Sequence, residues 1–386
     1  NTFNIAIGDK AGEAVTTGTQ NTLIGGLAGD AMTTPNANTA VGYASLGSTT
    51  TGALNSAVGS SALANNTTGG SNVAMGFAAM QLNTTASNNT ALGYAALNAN
   101  TTGHSNTAVG YGSLDANTTA TDNTAIGLNA MGVNTTGNNC VAVGSAALDA
   151  NTTGASNVAV GQGSLGANTT GTANAAFGTG SLAANVSTSY NAAFGSQAAR
   201  AVTGERNVYL GYDAGAGVAS TALGNIIIGM ESRPAATTGN YEIVIGYGTT
   251  GKGAQTGFIN PVGGGVYQGN NSSTWSTTSD RRLKKNIADS TLGLAEINQI
   301  QIRNFEYRNE DEITELPASS VVEVEGVQIG VIAQEIQAIL PDCVKEESTG
   351  VLSVDPNNLT WHMIKAIQEL SAQNAALTAR IEALES

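Results

Sequence analysis

Apolar and polar residues alternate in a short unit that recurs at a fixed interval along most of the chain. The consensus unit is Asn-x-Ala-aliphatic-Gly, and its final glycine returns every 17 residues from Gly8 to Gly195. Looser copies of the unit end at Gly211, Gly229 and Gly246. A repeat of this kind indicates a stacked architecture in which each copy contacts only its neighbours.

Two further positions repeat in phase with the glycine. Leu or Met stands four residues after it in nine successive copies, from Leu46 to Leu182, and Asn stands seven residues after it in eight, from Asn66 to Asn185. Gly, Asn and Thr disfavour helix interiors, whereas short alternating strands between turns fit the pattern. The sequence therefore predicts a mostly β fold, a parallel β-roll or β-solenoid in which identical residues stack as ladders.

The composition of one coil predicts that the chain does not stand alone. A coil buries few large apolar side chains against the conformational entropy of 17 ordered residues. The residue at the centre of the unit is Ala in eleven of the twelve regular copies, Leu23 being the exception. This indicates a face on which something packs closely, and the simplest partner is another copy, so we expect a parallel homotrimer. Tyr209, Ile227 and Val244 take the alanine position further along, where we expect the close packing to open or end.

Charge divides the chain into two physically different parts. Residues 1–278 hold 10 acids and 5 bases, whereas residues 279–386 hold 18 acids and 9 bases. We expect a rod of repeats over residues 1–206, degenerate repeats and a neck over 207–278, and a mixed α/β domain over 279–386.

Composition excludes several classes of function. The net charge of -14 disfavours nucleic-acid binding, and no apolar run is long enough to insert into a membrane. Cys140 and Cys343 have no metal-site spacing, and we expect neither a metal nor a cofactor. His104 and His362 are the two histidines of the chain, and we expect neither to have partners for a catalytic triad.

The repeat resembles the head region of trimeric autotransporter adhesins, with units such as Asn106-Thr107-Ala108-Val109-Gly110. The likeness covers roughly residues 1–206 and implies β-rolls that associate in threes. The C-terminal part has a second resemblance, carried by the run from Ser279 to Ile287, by Gly330-Val331-Ile332-Ala333-Gln334-Glu335 and by Pro341 after a short predicted helix. It is similar to the intramolecular chaperone domain of endosialidase tailspikes and other phage tail fibres.

This second resemblance implies self-processing. In the family, a serine at the start of the domain is the nucleophile and a lysine five residues later assists it; Ser279 and Lys284 occupy these positions. Cleavage would then fall between Thr278 and Ser279, as a single turnover with no external substrate. A lysine that an assembled interface desolvates can act as a base, so processing would report assembly.

The last predicted helix, from about residue 359 to 386, carries a heptad seam. Its core positions are spaced alternately four and three residues apart, and one of them is polar. They are Met363, Ile367, Leu370, Asn374, Leu377, Ile381 and Leu384. We expect a three-stranded parallel coiled coil that sets the register of the identical repeats.

Together these features predict the distal part of a phage tail fibre, a virion protein folded in the host cytoplasm that attaches to a host-surface glycan or protein. Its partners would be two further copies of itself and, through a preceding segment, other tail-fibre or baseplate proteins. Candidate receptor contacts are Tyr241, Tyr247, Tyr267 and Trp275, although the aromatic residues of this region also suit a packed neck. The alternatives are a cellular trimeric surface adhesin and an ice-binding β-solenoid.

Overall fold

The computed structural model describes residues 3–215, 221–261, 266–268, 280–309, 312–313, 324–346 and 350–385. The chain separates into two compact units, Asn1–Thr278 and Ser279–Ser386. The first unit is a parallel β-solenoid and the second is a small mixed α/β unit. The mostly β architecture predicted from the repeat is confirmed.

Each coil of the solenoid contributes one short strand, and successive strands lie side by side. Strands β1–β16 pair in parallel, and β17 pairs antiparallel with β16. Their bounds are Ile5–Ile7, Thr22–Ile24, Thr39–Val41, Ser56–Val58, Val73–Met75, Thr90–Leu92, Thr107–Val109, Thr124–Ile126, Val141–Val143, Val158–Val160, Ala175–Phe177, Ala192–Phe194, Val208–Leu210, Ile226–Ile228, Ile243–Gly246, Gly257–Asn260 and Val266–Gln268.

The strands pair one full repeat apart, so that equivalent residues are neighbours. Ala40 lies opposite Ala57, and the same register continues across the looser copies, where Ala193 lies opposite Tyr209. The strand ladder therefore runs without a break through residue 206, where the sequence pattern loosens.

The predicted asparagine ladders exist as hydrogen-bonded columns inside the coils. In the column before the strands, the Asn55 backbone N–H donates to Asn38 Oδ1 at 2.9 Å, while Asn38 Nδ2 donates to the Gly52 carbonyl at 3.1 Å. In the second column, Asn83 Nδ2 donates to Asn66 Oδ1 at 2.7 Å. Each buried amide thus satisfies a backbone group that a turn would otherwise leave unpaired.

The core of the solenoid is narrow and lies within a single chain. The strand alanines and the Leu or Met four residues after the glycine are fully buried against one another, as in Ala108 and Leu114. The inference that another copy packs on the alanine face is therefore wrong. Alanine is small because its own coil closes over it and leaves room for only one large side chain.

The larger residues at the alanine position do not open the packing. The expectation that the close packing opens or ends there is therefore wrong. Tyr209, Ile227 and Val244 are fully buried in the same core. In the coil of Tyr209 the large buried side chain comes from the strand instead of the turn. Gly215 stands at the turn position where the regular coils carry Leu or Met. A Cβ on Gly215 would lie 2.6 Å from Tyr209 Cε1. Leu23 is paired in the same way with Gly29.

In its described residues, the second unit has two antiparallel strand pairs and three α-helices, with a modest core. The paired strands are β18 (Arg303–Phe305) with β19 (Gln328–Gly330) and β20 (Val344–Glu346) with β21 (Leu352–Val354). The helices are α1 (Leu294–Ile297), α2 (Ala333–Ile339) and α3 (Pro356–Glu385), with 3-10 turns at Arg281–Leu283 and Pro341–Cys343.

Helix α3 begins three residues earlier than the heptad pattern predicts. Asp355 Oδ1 accepts hydrogen bonds from the backbone N–H groups of Asn357 and Asn358, and Pro356 stands at the first helical position. Both features are typical of a helix N-terminus. None of the described helices is long and apolar enough to cross a membrane.

Candidate functional site

The outward face of the solenoid sheet carries an apolar stripe. Because side chains alternate along a strand, burying the central alanine directs its two neighbours outward. We call the residue that precedes each repeat glycine the outer stripe. Its members are Ile7, Ile24, Val41, Val58, Met75, Leu92, Val109, Ile126, Val143, Val160, Phe177, Phe194, Leu210, Ile228 and Ile245, all of them partly or substantially exposed.

Aromatic residues next to the outer stripe stack along the axis. Phe77 and Tyr94 have ring centroids 5.3 Å apart, and Tyr94 and Tyr111 have centroids 5.1 Å apart with nearly parallel planes. All three side chains are exposed. Stacking at the coil spacing covers the ring faces and leaves their edges outward. A sugar ring stacks on a face, so this ladder suits an interdigitating apolar partner better than a glycan.

The structure describes two of the four candidate receptor residues in full. Tyr241 and Tyr247 are each more than half exposed. Tyr247 directly follows Gly246, so it has the repeat position of Tyr94 and Tyr111. The Tyr267 side chain and Trp275 lie outside the described residues, and receptor contact by any of the four stays a prediction.

The predicted processing site is described only on its C-terminal side. Thr278 and Ser279 lie outside the described residues. Asp280 Oδ1 accepts from the Arg282 backbone N–H at 2.8 Å, and its Oδ2 forms an ion pair with Arg282 at 2.6 Å. This ion pair lowers the pKa of the Asp280 carboxyl. Lys284 follows the 3-10 turn with an exposed side chain, and its pairing with Ser279 stays a prediction.

The predicted heptad seam lies along the solvent-facing part of helix α3. Met363, Ile367, Leu370, Leu377, Ile381 and Leu384 are all exposed. A row of exposed aliphatic side chains at a and d spacing on a single helix is typical of a helix that packs against others.

His362, for which we expected no catalytic-triad partners, does have hydrogen-bonding neighbours. His362 Nε2 lies 2.8 Å from Asp342 Oδ2, and its Nδ1 lies 3.4 Å from the Leu292 carbonyl oxygen. The adjacent Cys343 is buried in the core of this unit. Asp342, Cys343 and His362 each place one ligand atom within 4.8 Å of the others. Sequence spacing did not indicate this cluster, because Cys343 and His362 lie 19 residues apart. The 3-10 turn and helix α3 bring the two residues together.

These features define a class of protein: a long, nearly uncharged parallel β-solenoid that is followed by a small charged α/β unit. Residues 279–345 match the family model described as Chaperone of endosialidase. The resemblance predicted for the C-terminal unit is thereby confirmed over residues 279–345, which are similar to a chaperone-of-endosialidase domain.

Two curated proteins are similar to parts of the chain. It is 27% identical over 175 residues to a probable tail fiber protein of Escherichia phage Phieco32, a match that covers 42% of this chain and 23% of the relative. It is 30% identical over 104 residues to Myelin regulatory factor homolog 1 of Caenorhabditis elegans, which covers 27% of this chain and 11% of that protein. The chain thus spans less than a quarter of either relative. No solved structure gives a significant match.

Proposed function

We propose that the chain is the distal part of a phage tail fibre, a rod that attaches the virion to the host surface and carries its own folding chaperone. The observation that carries the proposal is the order of the two units, a parallel β-solenoid followed directly by a chaperone-of-endosialidase domain. The similarity to a probable tail fiber protein supports the same function.

The rod is proposed to be a parallel homotrimer that packs through the outer stripe rather than through the alanine face. Fourteen steps of about 4.8 Å make the stripe about 67 Å long, and soluble monomers rarely expose an apolar patch above a few hundred Å². The strand positions on either side of the alanine carry no charged residue from Ile5 to Ile245. A second copy of the chain fits because its ladder has the same axial repeat at every coil.

The heptad seam of helix α3 is proposed to form the three-stranded coiled coil that fixes this register. Neighbouring coils are nearly identical, so two rods can pair one repeat out of step with little local cost. A coiled coil with one polar core position, Asn374, specifies a single alignment. If assembly begins at the C-terminal end, the rods can then pair in only one register.

Self-cleavage before Ser279 is proposed to follow assembly. The side chain of Lys284 is exposed in the single chain, and a lysine becomes an effective base only when it is desolvated. Packing of the chaperone units against one another would supply that burial. The Ser279 hydroxyl would attack the Thr278 carbonyl carbon, and the peptide nitrogen would leave as the Ser279 amine. Water would then hydrolyse the resulting ester and release the two fragments.

Association with virions tests the tail-fibre function. We expect the rod in purified phage particles, and we expect the isolated protein to compete with those particles for adsorption to host cells. Particles that lack the rod would contradict the proposal.

Intact mass measurement tests the processing proposal. We expect the wild-type chain to separate into two fragments between Thr278 and Ser279, and Ser279→Ala and Lys284→Ala to remain whole. Lys285→Ala is the matched control, since it removes the neighbouring lysine, and it should cleave like the wild type. Equal cleavage in the wild type and Ser279→Ala would contradict the assigned nucleophile.

A further inference from the structure

The side chains of Asp342, Cys343 and His362 converge at one point of the C-terminal unit, where the 3-10 turn Pro341–Cys343 meets the second turn of helix α3. We propose that this cluster is a Zn²⁺ site, with a carboxylate oxygen of Asp342, Cys343 Sγ and His362 Nε2 as ligands. The three ligand atoms lie within 4.8 Å of one another. Sulfur, nitrogen and oxygen donors in this combination suit zinc, whereas calcium and magnesium prefer oxygen alone.

The imidazole ring of His362 is oriented so that both of its nitrogens face oxygen atoms. Nδ1 lies 3.4 Å from the Leu292 carbonyl oxygen, and Nε2 lies 2.8 Å from Asp342 Oδ2. In the tautomer with the proton on Nδ1, that nitrogen faces an acceptor and Nε2 offers its lone pair beside a carboxylate. A metal ion bound at Nε2 would select this tautomer.

A hydrogen bond from the second ring nitrogen to a backbone carbonyl is also the usual support of a metal-binding histidine. Such a bond selects the tautomer in which Nε2 is the ligand. A tetrahedral zinc with bonds of about 2.0–2.1 Å spaces its nitrogen and oxygen ligands about 3.3 Å apart. Asp342 and His362 therefore need to separate by only about 0.5 Å.

The backbone that carries the other two ligands is held by contacts that involve no metal. The Asp355 N–H donates to the Cys343 carbonyl at 2.7 Å, and Asn358 Nδ2 donates to the Asp342 carbonyl at 2.7 Å. Both donors belong to the start of helix α3. The turn and the helix are thus fixed to each other before any ion binds, which lowers the entropic cost of assembling the ligands.

The surroundings of Cys343 favour a divalent cation. Cys343 is buried, and the carboxylates of Asp342 and Asp355 act on it electrostatically. The same two carboxylates attract a divalent ion. The outer side of the cluster is open at Asp342, which leaves the fourth position for water.

Cobalt substitution tests the site on the whole chain after treatment with a chelator. We expect one equivalent of Co²⁺ to produce a thiolate-to-cobalt charge-transfer band and a tetrahedral visible spectrum, and Zn²⁺ to displace it. Cys343→Ser should abolish the charge-transfer band, and His362→Gln should weaken Zn²⁺ binding at least tenfold in a competition with a chelating dye. Cys140→Ser removes the other buried cysteine and should leave both signals unchanged.

The alternative is a His362–Asp342 ion pair with no metal. A folded chain, judged by circular dichroism, that gives no charge-transfer band and binds Zn²⁺ no better than His362→Gln would overturn the proposal. Asp342→Asn keeps the shape of the side chain and removes its charge. It gives a second measurement if Cys343→Ser does not fold, and it should also weaken Zn²⁺ binding. The result does not bear on the tail-fibre function, because no part of that proposal depends on a metal.

Discussion

Individual residues of the repeat are retained for different physical reasons. Gly42 has a φ of 133°, and a Cβ there would lie 2.5 Å from the carbonyl oxygen of Gly59 in the next coil. Glycine is therefore required by both conformation and space. Leu46 also has a positive φ, at 53°, but in the left-handed helical region that other residues tolerate at some cost. Burial of its side chain in the core offsets that cost.

Cys140 interrupts the asparagine column that lies before the strands, because it stands where the other regular coils carry Asn. Its backbone N–H still donates to Asn123 Oδ1 at 2.9 Å, but its sulfur reaches the Gly154 carbonyl only at 3.4 Å. The Asn157 N–H points at this sulfur, whereas in neighbouring coils it would meet an amide oxygen. Burial raises the pKa of the Cys140 thiol, so the sulfur stays a weak, neutral hydrogen-bonding group.

We expect Cys140→Asn to stabilise the rod by about 1 kcal/mol, because it restores a full amide pair inside a buried column. Thermal unfolding followed by circular dichroism measures the change. Asn123→Cys is the reverse control and should lower the melting temperature. A lower melting temperature for Cys140→Asn would mean that this coil has lost the geometry of the column.

At the scale of the element, a regular coil holds one large buried side chain, and the position of that side chain can switch between the strand and the turn. In the regular coils it is the Leu or Met after the glycine, opposite a strand alanine, as in Leu114 and Ala108. In the coil of β13 the strand supplies Tyr209, and Gly215 stands opposite. The total side-chain volume of the coil is thereby kept, which is what a close-packed interior requires.

We expect Tyr209→Ala to destabilise the rod by roughly 3–5 kcal/mol, because it leaves a cavity of ring size. Adding Gly215→Leu to that variant should recover much of the loss, since it recreates the pairing of Ala108 with Leu114. Melting temperatures of the single and double variants measure both effects. No recovery in the double variant would show that the two positions are not exchangeable.

At the scale of the whole molecule, the two units differ in charge and in the size of their cores, yet each exposes an apolar surface. The rod has an outer stripe without charges, and its interior is complete within one chain. The C-terminal unit is charged and has a small core, while the seam of its long helix is exposed. Both exposed apolar surfaces repeat along the chain, so both suit further copies of the same chain.

We expect Leu92→Lys to weaken the proposed trimer by several kcal/mol, because three lysines would be brought into an apolar interface without partners. Leu82→Lys is the matched control: Leu82 is 41% exposed and Leu92 is 44% exposed, but Leu82 lies on a turn away from the outer stripe. Melting temperature and solution mass measure the difference. Equal behaviour of the two variants would exclude the outer stripe as the interface.

The sequence by itself determined the coil length and the in-register ladders. These follow from periodicity, since identical residues at a fixed interval have few ways to stack other than one above another. The position of the chaperone domain came from its resemblance to a known family. Ser279 and Lys284 were placed by resemblance, and their contact stays untested.

Only the tertiary structure decided which face of a coil is inside. A strand buries alternate residues, and a pattern of small and aliphatic side chains is compatible with either face until the path of the turns is known. The alanine face was therefore assigned to a partner when it belongs to the coil's own core. The cluster of Asp342, Cys343 and His362 was missed for a related reason, because chain folding, not sequence spacing, sets the distance between residues on different elements.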